Sequence, residues 1–323
     1  MKIATVGTSW ITDSFIKSAE YVPDAEIYAV YSRDIVNAQK FASEHNVELY
    51  YSSLDEMLCN KDIDAVYIAS PNYAHFEQAK KCLESGKHVL CEKPAVVTSA
   101  QLAELYALAD SKNIVFLEAM KSMHSDGLAI IREEIKKLGD IRTAHIDFSQ
   151  LSSKYPAYKR GENPNIFNPE LCTGALMDLG VYCVYFALEL FGNPEKVISH
   201  SDFLASGADY SGTLIFVYPD KTVTVTYSKV ANGFVPSKIL GEEGAVTVKS
   251  VSKLTGVNRY YNDGTVTELY PTVDENLVMS KEIEAFVNFT KGENTSYLDY
   301  CRKISLDVCN IMENIRKENK FGF

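Results

Sequence analysis

From the start to about residue 120 the chain alternates short, nearly continuous apolar runs with amphipathic stretches. Residues 2–6, 27–31, 65–69, 88–91 and 115–117 read as strands, and helical periodicity fills the gaps, as over 35–45 and 75–85. Strands of this kind separated by helices predict βαβ crossovers, and hence a parallel sheet covered on both faces. Gly86 is placed to stop a helix and Pro71 to end a strand.

After Lys121 the rhythm changes. A helix over 126–138, a strand over 142–151, a polar stretch over 152–173 and an apolar helix over 174–191 precede several further strands. Residues 222–228 alternate strictly, with Val223, Val225 and Tyr227 on one face and Thr or Ser on the other. Asn262-Asp263-Gly264 has the composition of a hairpin turn. Helices over 277–290 and 300–317 close the chain. The expected fold is an α/β domain, residues 1–121, with a parallel sheet covered by helices, followed by an α+β domain, residues 122–323, with a large open, mostly antiparallel sheet. The uncovered face or edge of its sheet is available to a second subunit, although scattered Thr and Tyr are equally normal on a solvated face.

Composition narrows the classes. A chain of 323 residues suits two domains, each able to bury its own core. Seven cysteines, odd in number and without a CxxC pair, read as buried thiols in a reducing compartment. The amino terminus shows no signal-peptide pattern, and no apolar run is read as approaching the roughly 20 residues of a membrane span, so a cytoplasmic location is expected. A net charge of −11 without a basic cluster argues against nucleic acid. No His, Cys, Asp or Glu spacing resembles a metal site.

The candidate chemistry lies where strands end. The first strand runs into Gly7-Thr8-Ser9-Trp10-Ile11-Thr12, where a dinucleotide-binding fold places G-x-G-x-x-G. Only the first glycine is kept: Gly7 can make the tight turn, and the amides opening the next helix can attract a pyrophosphate. Ser9 either donates to phosphate or caps the helix. About 25 residues later, where this fold reads the adenine ribose, stand Ser32 and Arg33. A hydroxyl and a guanidinium suit a 2′-phosphate, hence NADP with NAD as the alternative, although Asp34 is adjacent. Residues 86–94, Gly-Lys-His-Val-Leu-Cys-Glu-Lys-Pro, end an apolar run in Glu92-Lys93-Pro94 and so put two ionisable groups at the carboxyl edge of the sheet.

Gly7, Ser70-Pro71-Asn72-Tyr-Ala-His75, Gly86-Lys-His-Val, Glu92-Lys93-Pro94 and Asp178-Leu-Gly-Val-Tyr182 together resemble the Gfo/Idh/MocA oxidoreductase family over nearly the whole chain. Gly174-Ala-Leu-Met-Asp-Leu-Gly-Val-Tyr-Cys183 is most similar to its branch containing dimeric dihydrodiol dehydrogenase, NADP-dependent xylose dehydrogenase and glucose-fructose oxidoreductase. The resemblance implies that residues 1–121 form a dinucleotide-binding α/β Rossmann domain and residues 122–323 an α+β substrate-binding domain, with hydride transfer between nicotinamide and a hydroxyl-bearing carbon of a sugar, inositol or related diol. It maps the catalytic lysine to Lys93, the helix aspartate to Asp178 and the proton-transferring tyrosine to Tyr182. It places the cofactor against Gly7, Thr8, Ser9, Trp10, Ile11, Ser32, Arg33, Ser70, Pro71, Asn72, His75, Glu92 and Lys93. Asp178 and Tyr182 stand at i and i+4, on one face of an otherwise apolar helix.

Plainer readings stay open beside these. Lys93 could pair structurally with Glu92, Tyr182 could be a core aromatic, Asp178 could cap or bridge domains, His75 could pack or cap, and Arg33 could be a solvated loop residue. His124, just past the last strand of the first domain, could face substrate, yet it is expected at the surface. The 152–173 stretch reads as a pocket wall or lid, or as a mobile surface excursion. Two departures from the family matter: Cys172-Thr173-Gly174 replaces a run of glycines, and Lys121-Ser122-Met123 stands where the branch has an aromatic and an arginine. Two other functions share the fold: redox-neutral glycoside cleavage with retained NAD, and non-catalytic cofactor sensing. A homo-oligomer, dimer or higher, is expected by family analogy.

Overall fold

A computed structural model describes residues 1–323, which divide by packing into two units. The first comprises Met1–Lys121 with Asp274–Leu306, the second Ser122–Val273 with Asp307–Phe323. In the first, β1 (Lys2–Val6), α1 (Trp10–Ala19), β2 (Glu26–Tyr31), α2 (Ile35–Glu44), β3 (Leu49–Tyr51), α3 (Leu54–Cys59), β4 (Ala65–Ile68), α4 (His75–Glu84), β5 (His88–Glu92), α5 (Ser99–Ser111) and β6 (Phe116–Ala119) follow one another. The strands form a parallel sheet in the order β3-β2-β1-β4-β5-β6. Strand order reverses between β1 and β4, where open sheets of this class hold their ligands.

Local chemistry fixes the ends of these elements. Asp34 accepts the Val36 amide at the start of α2, Ser53 that of Glu56 at α3, and Thr98 with Gln101 closes a capping box on α5. All of β4 is 0% exposed, which is why it reads as an unbroken apolar run. Each such aliphatic side chain contributes about 1.5–3 kcal/mol by leaving water.

In the second unit α6 (Asp126–Ile135) and β7 (Ile141–Ser149) are followed by α7 (Tyr155–Lys159) and, after a π-turn over Leu176–Gly180, by α8 (Val181–Phe191). Then come β8 (Lys196–Phe203), β9 (Asp209–Val217), β10 (Thr222–Ser228), β11 (Ser237–Gly241), β12 (Gly244–Ser250), β13 (Thr255–Tyr260) and β14 (Val266–Tyr270). The sheet order is β14-β13-β12-β11-β7-β10-β9-β8, antiparallel throughout except for the β7–β10 pair. Val223, Val225 and Tyr227 of β10 are buried on the face that meets α8, whereas Thr222, Thr224 and Thr226 face away. Asn262, Asp263 and Gly264 join β13 to β14, with the Tyr261 amide donating to Thr265 O at 2.9 Å.

Contrary to the reading of its apolar runs, the chain does contain one helical stretch, Pro169–Phe191, apolar and long enough to cross a bilayer; its most apolar window is 78% buried within the fold, as a core helix is. Four cysteines are buried as expected (Cys82, Cys91, Cys183 and Cys301), but Cys59 is exposed, and none is in a disulfide.

The last two helices are α9 (Glu275–Thr290) and α10 (Thr295–Glu318). α9 belongs to the first unit and packs on α1, with Ser18 Oγ donating to Asn276 Oδ1 at 3.4 Å. α10 contributes its residues through Leu306 to the first unit and those from Asp307 to the second. The first unit is therefore discontinuous in sequence.

Candidate active site

Gly7 turns the chain at the end of β1 with φ +112, a backbone conformation that L side chains rarely adopt. A Cβ there would lie 2.6 Å from Ala69 O and 3.4 Å from the Ser70 amide nitrogen, so the β1 and β4 turns approach closely only because the residue is glycine. That cradle fits a pyrophosphate, since the first-turn amides of α1 lack intrahelical partners. Thr8 and Ile11 are half-buried, while Ser9 and Trp10 are exposed. Ser9 occupies the N-cap position without a side-chain capping bond, which leaves its hydroxyl for a ligand. Thr12, at the third glycine position, is 0% exposed, so helix and strand accommodate its side chain.

At the end of β2, Arg33 is exposed and donates to Tyr73 Oη at 3.3 Å, across to the turn after β4. Asp34, the neighbour that could have recognised a ribose, is occupied: its carboxylate accepts from the Val36 amide at 2.9 Å and from Asn37 Nδ2 at 3.2 Å. Ser32 Oγ accepts the Asp34 amide at 3.4 Å.

The turn bearing Lys93 is held from several sides. His75, 1% exposed, sets Nδ1 3.0 Å from Pro94 O and Nε2 2.7 Å from Ser70 O. Burial lowers its pKa against the pull of those two carbonyls, and the ring nitrogen that carries the proton donates to the carbonyl it faces, at the turn after β4 or the turn after β5. Ser70 Oγ donates to Gln78 at 2.6 Å, and Pro71 and Asn72 open a short 3-10 turn into α4. Glu92, buried, accepts the Tyr67 hydroxyl at 2.7 Å and the Lys93 amide at 3.2 Å, and burial raises its pKa. Lys93 is half-buried and precedes a cis Pro94. Ala95, on the far side, donates its amide to Glu118 Oε1 at 2.8 Å, and the other oxygen of Glu118 accepts the Ser305 hydroxyl. Glu282 of α9, 1% exposed, faces Glu92, Glu118 and Lys121; burial and the two carboxylates push its pKa well up. Lys121 is paired with Glu275 rather than offered to a ligand.

In the second unit, Asp178 lies in the π-turn, where the Val181 amide reaches Leu176 O, five residues back. Plain i, i+4 helical geometry between Asp178 and Tyr182 is thus interrupted by an extra residue, a feature common at functional sites. Asp178 is paired with the ammonium of Lys229, a buried residue just beyond β10. Tyr182, 8% exposed, meets the ring of Phe148 edge-on at 5.8 Å.

Other expectations are corrected. His124 is not a surface residue; it is half-buried, and desolvation pushes its pKa down to about 4. The 152–173 stretch is an ordered structure containing α7 and two 3-10 turns. Tyr155 and Tyr158 pack on the fully buried Phe167 with ring centroids 5.9 and 5.5 Å away, and Arg160 is paired with Glu162. Sequence reasoning missed Lys229, Glu282 and Ser305, which carry no periodic signal. Glu118 had one, a charge closing an apolar strand, the same signal that singled out Glu92.

The two units carry recognisable sequence relationships. Residues 1–119 match the oxidoreductase family with an NAD-binding Rossmann fold, and residues 131–247 match the Gfo/Idh/MocA C-terminal domain. The scyllo-inositol 2-dehydrogenase (NADP(+)) IolU of Bacillus subtilis is 36% identical, covering 98% of this chain and 97% of that one. Trans-1,2-dihydrobenzene-1,2-diol dehydrogenase of Xenopus tropicalis is 31% identical over 74% of this chain and 72% of its own. The crystal structure of KijD10, a 3-ketoreductase from Actinomadura kijaniata, with NADP and TDP-benzene superposes with a TM-score of 0.85 at 19% identity, covering 98% and 97% of the two chains. With a glycine-dependent turn at the switch point of a doubly wound sheet and a relative matched over 98% of its length, the chain belongs to the Gfo/Idh/MocA family of NAD(P)-dependent oxidoreductases.

Proposed function

We propose that this protein is an NADP-preferring dehydrogenase acting on a secondary alcohol of a sugar, inositol or related diol, with Lys93, Asp178 and Tyr182 as its acid–base group. The observation that carries this reading is the Lys93 turn, which Glu92, Glu118 and His75 hold through separate hydrogen bonds. A non-catalytic sensor has no need of so firmly held a turn beneath a lysine. Bound NADP supplies the hydride acceptor or donor at nicotinamide C4. Tyr182 takes the substrate hydroxyl proton on its phenolic oxygen during oxidation and returns it during reduction. A free phenol titrates near 10, too high for neutral pH, and an ammonium lowers it by favouring the phenolate; that is the role given to Lys93. Asp178, held by Lys229, orients the substrate.

NADP preference rests on Arg33 standing exposed while Asp34 is committed to capping α2. A charge-assisted contact to the 2′-phosphate is worth about 1.5–3 kcal/mol, or roughly ten- to a hundredfold. Arg33→Ala is expected to weaken NADPH by that factor and leave NADH unchanged, as read by nicotinamide fluorescence titration. The general test is the same titration on the wild type, followed by a screen of aldoses, inositols and vicinal diols with NADP+. Saturable binding with turnover supports the reading, and absence of binding by either nucleotide ends it.

A homodimer through the uncovered face of the second unit's sheet is part of this proposal. Phe234 and Val235 are 90% and 73% exposed there, beside a groove of ≈ 350 Å³ lined by His145, Asp147, Thr224 and Lys238. Sedimentation velocity showing monomer alone at micromolar concentration would remove this element.

A further inference from the structure

We propose that Asp209, at the start of β9, is a positioning residue: its carboxylate anchors the first turn of the helix bearing Asp178 and Tyr182 and so sets where those two side chains stand. Its role in turnover rests on the dehydrogenase reading, whereas its geometry does not. Asp209 is 0% exposed, and its Oδ2 accepts the Leu176 amide at 2.7 Å. The Ala175 amide also donates to it. These are the amides that a helix start leaves without partners, and the positive end of the helix dipole favours an anion there.

The approach is tight enough to constrain the sequence. Gly174 has φ +149, and a Cβ on it would sit 1.8 Å from Asp209 Oδ1. This accounts for the single glycine kept in Cys172-Thr173-Gly174: of the three positions, only the one facing the carboxylate cannot carry a side chain. Asp209 Oδ1 is itself buried without a hydrogen-bond partner. The charged and titratable groups around it are Arg316 from α10, which also donates to Met177 Sδ at 3.3 Å, and Tyr227 from β10.

The site is poised to titrate. Burial pushes the carboxyl up to about 7, although the backbone amides and Arg316 pull the other way. A carboxyl whose folded pKa exceeds its unfolded value stabilises the fold in its protonated form, fully below the unfolded value near 3.8, and this contribution is lost as pH rises through 7. Ionisation therefore costs global stability while it strengthens the bonds to the helix start.

Asp209→Ala and Asp209→Asn test the assignment together. Asp209→Ala is expected to lower kcat by about ten- to a hundredfold through misplacement of the acid–base side chains, with NADPH affinity within about twofold. Asp209→Asn keeps an acceptor for Leu176 and is expected to recover most of kcat while losing a step near pH 7 that the wild type shows. Wild-type kcat and an unchanged pH profile in both variants would overturn the proposal. Hydrogen exchange of the 175–182 segment gives a readout independent of turnover. After correction for intrinsic exchange, its protection should rise through pH 7 in the wild type and stay flat in Asp209→Asn; equal behaviour overturns the anchor. If Asp209→Ala fails to fold, the asparagine variant alone decides. If no substrate is turned over, the exchange result still stands, and the failure belongs to the dehydrogenase reading.

Discussion

Replacing Tyr182 with phenylalanine is expected to lower kcat by about 10²–10⁴-fold, the range of a lost general acid–base group, and to leave NADPH binding unchanged. On the rate scale this is roughly 3–5 kcal/mol at the transition state. The substitution is nearly silent for packing: the ring is 8% exposed and its edge-on contact with Phe148 at 5.8 Å survives loss of the hydroxyl. A fall in activity at unchanged melting temperature therefore reports chemistry. On the proposed roles, Lys93→Met should cost a similar factor and also move the rising limb of the oxidation pH profile upward, since removing a cation assigned to favour a phenolate disfavours its ionisation. A Tyr182→Phe enzyme retaining a third or more of wild-type kcat would sink the proton-transfer assignment.

Gly7→Ala is expected to abolish saturable nucleotide binding over the range in which the wild type saturates. The added methyl would stand 2.6 Å from Ala69 O, against backbone that has no flexible end to yield, at φ +112. Strain of about 1–3 kcal/mol falls on the turn, and relief requires the β1 and β4 turns to separate at the phosphate cradle. Gly86→Ala is the matching control, with φ +76 but nothing within 4 Å of the added methyl. It should cost stability on a comparable scale and leave binding intact. Fluorescence titration and thermal melts on both variants separate the outcomes, and unimpaired binding by Gly7→Ala would contradict a phosphate cradle at this turn.

What the sequence disclosed tracks the strength of its periodic signals. Five of the six strands of the parallel sheet were legible because β1, β4 and β5 are buried on both faces and read as nearly unbroken apolar runs. Leu49–Tyr51 escaped notice because three residues on an edge carry too little pattern to distinguish a strand from a loop. β6 extends to Ala119, past the expected end at 117, since Glu118 spends its charge on Ala95 and Ser305 and can stay in the strand. The π-turn at Leu176–Gly180 was invisible: an insertion of one residue into a uniformly apolar helix leaves the composition unchanged. Lys93, Asp178 and Tyr182 stood out through a family motif, while Lys229 and Asp209 did not, because their effect arises from pairing distant in sequence.

The discontinuity of the first unit orders events during synthesis. A ribosome that has completed Lys121 must make the 152 residues from Ser122 to Val273 before α9 emerges, about 8–30 s at ordinary translation rates. Throughout that interval the nascent nucleotide-binding half shows solvent the face of α1 that α9 later covers. The intervening sheet domain has all its strands, complete by Tyr270, before α9 can cover α1. The part of the molecule nearest the amino terminus is thus finished late, and a fragment stopped at Lys121 carries the same exposed surface permanently.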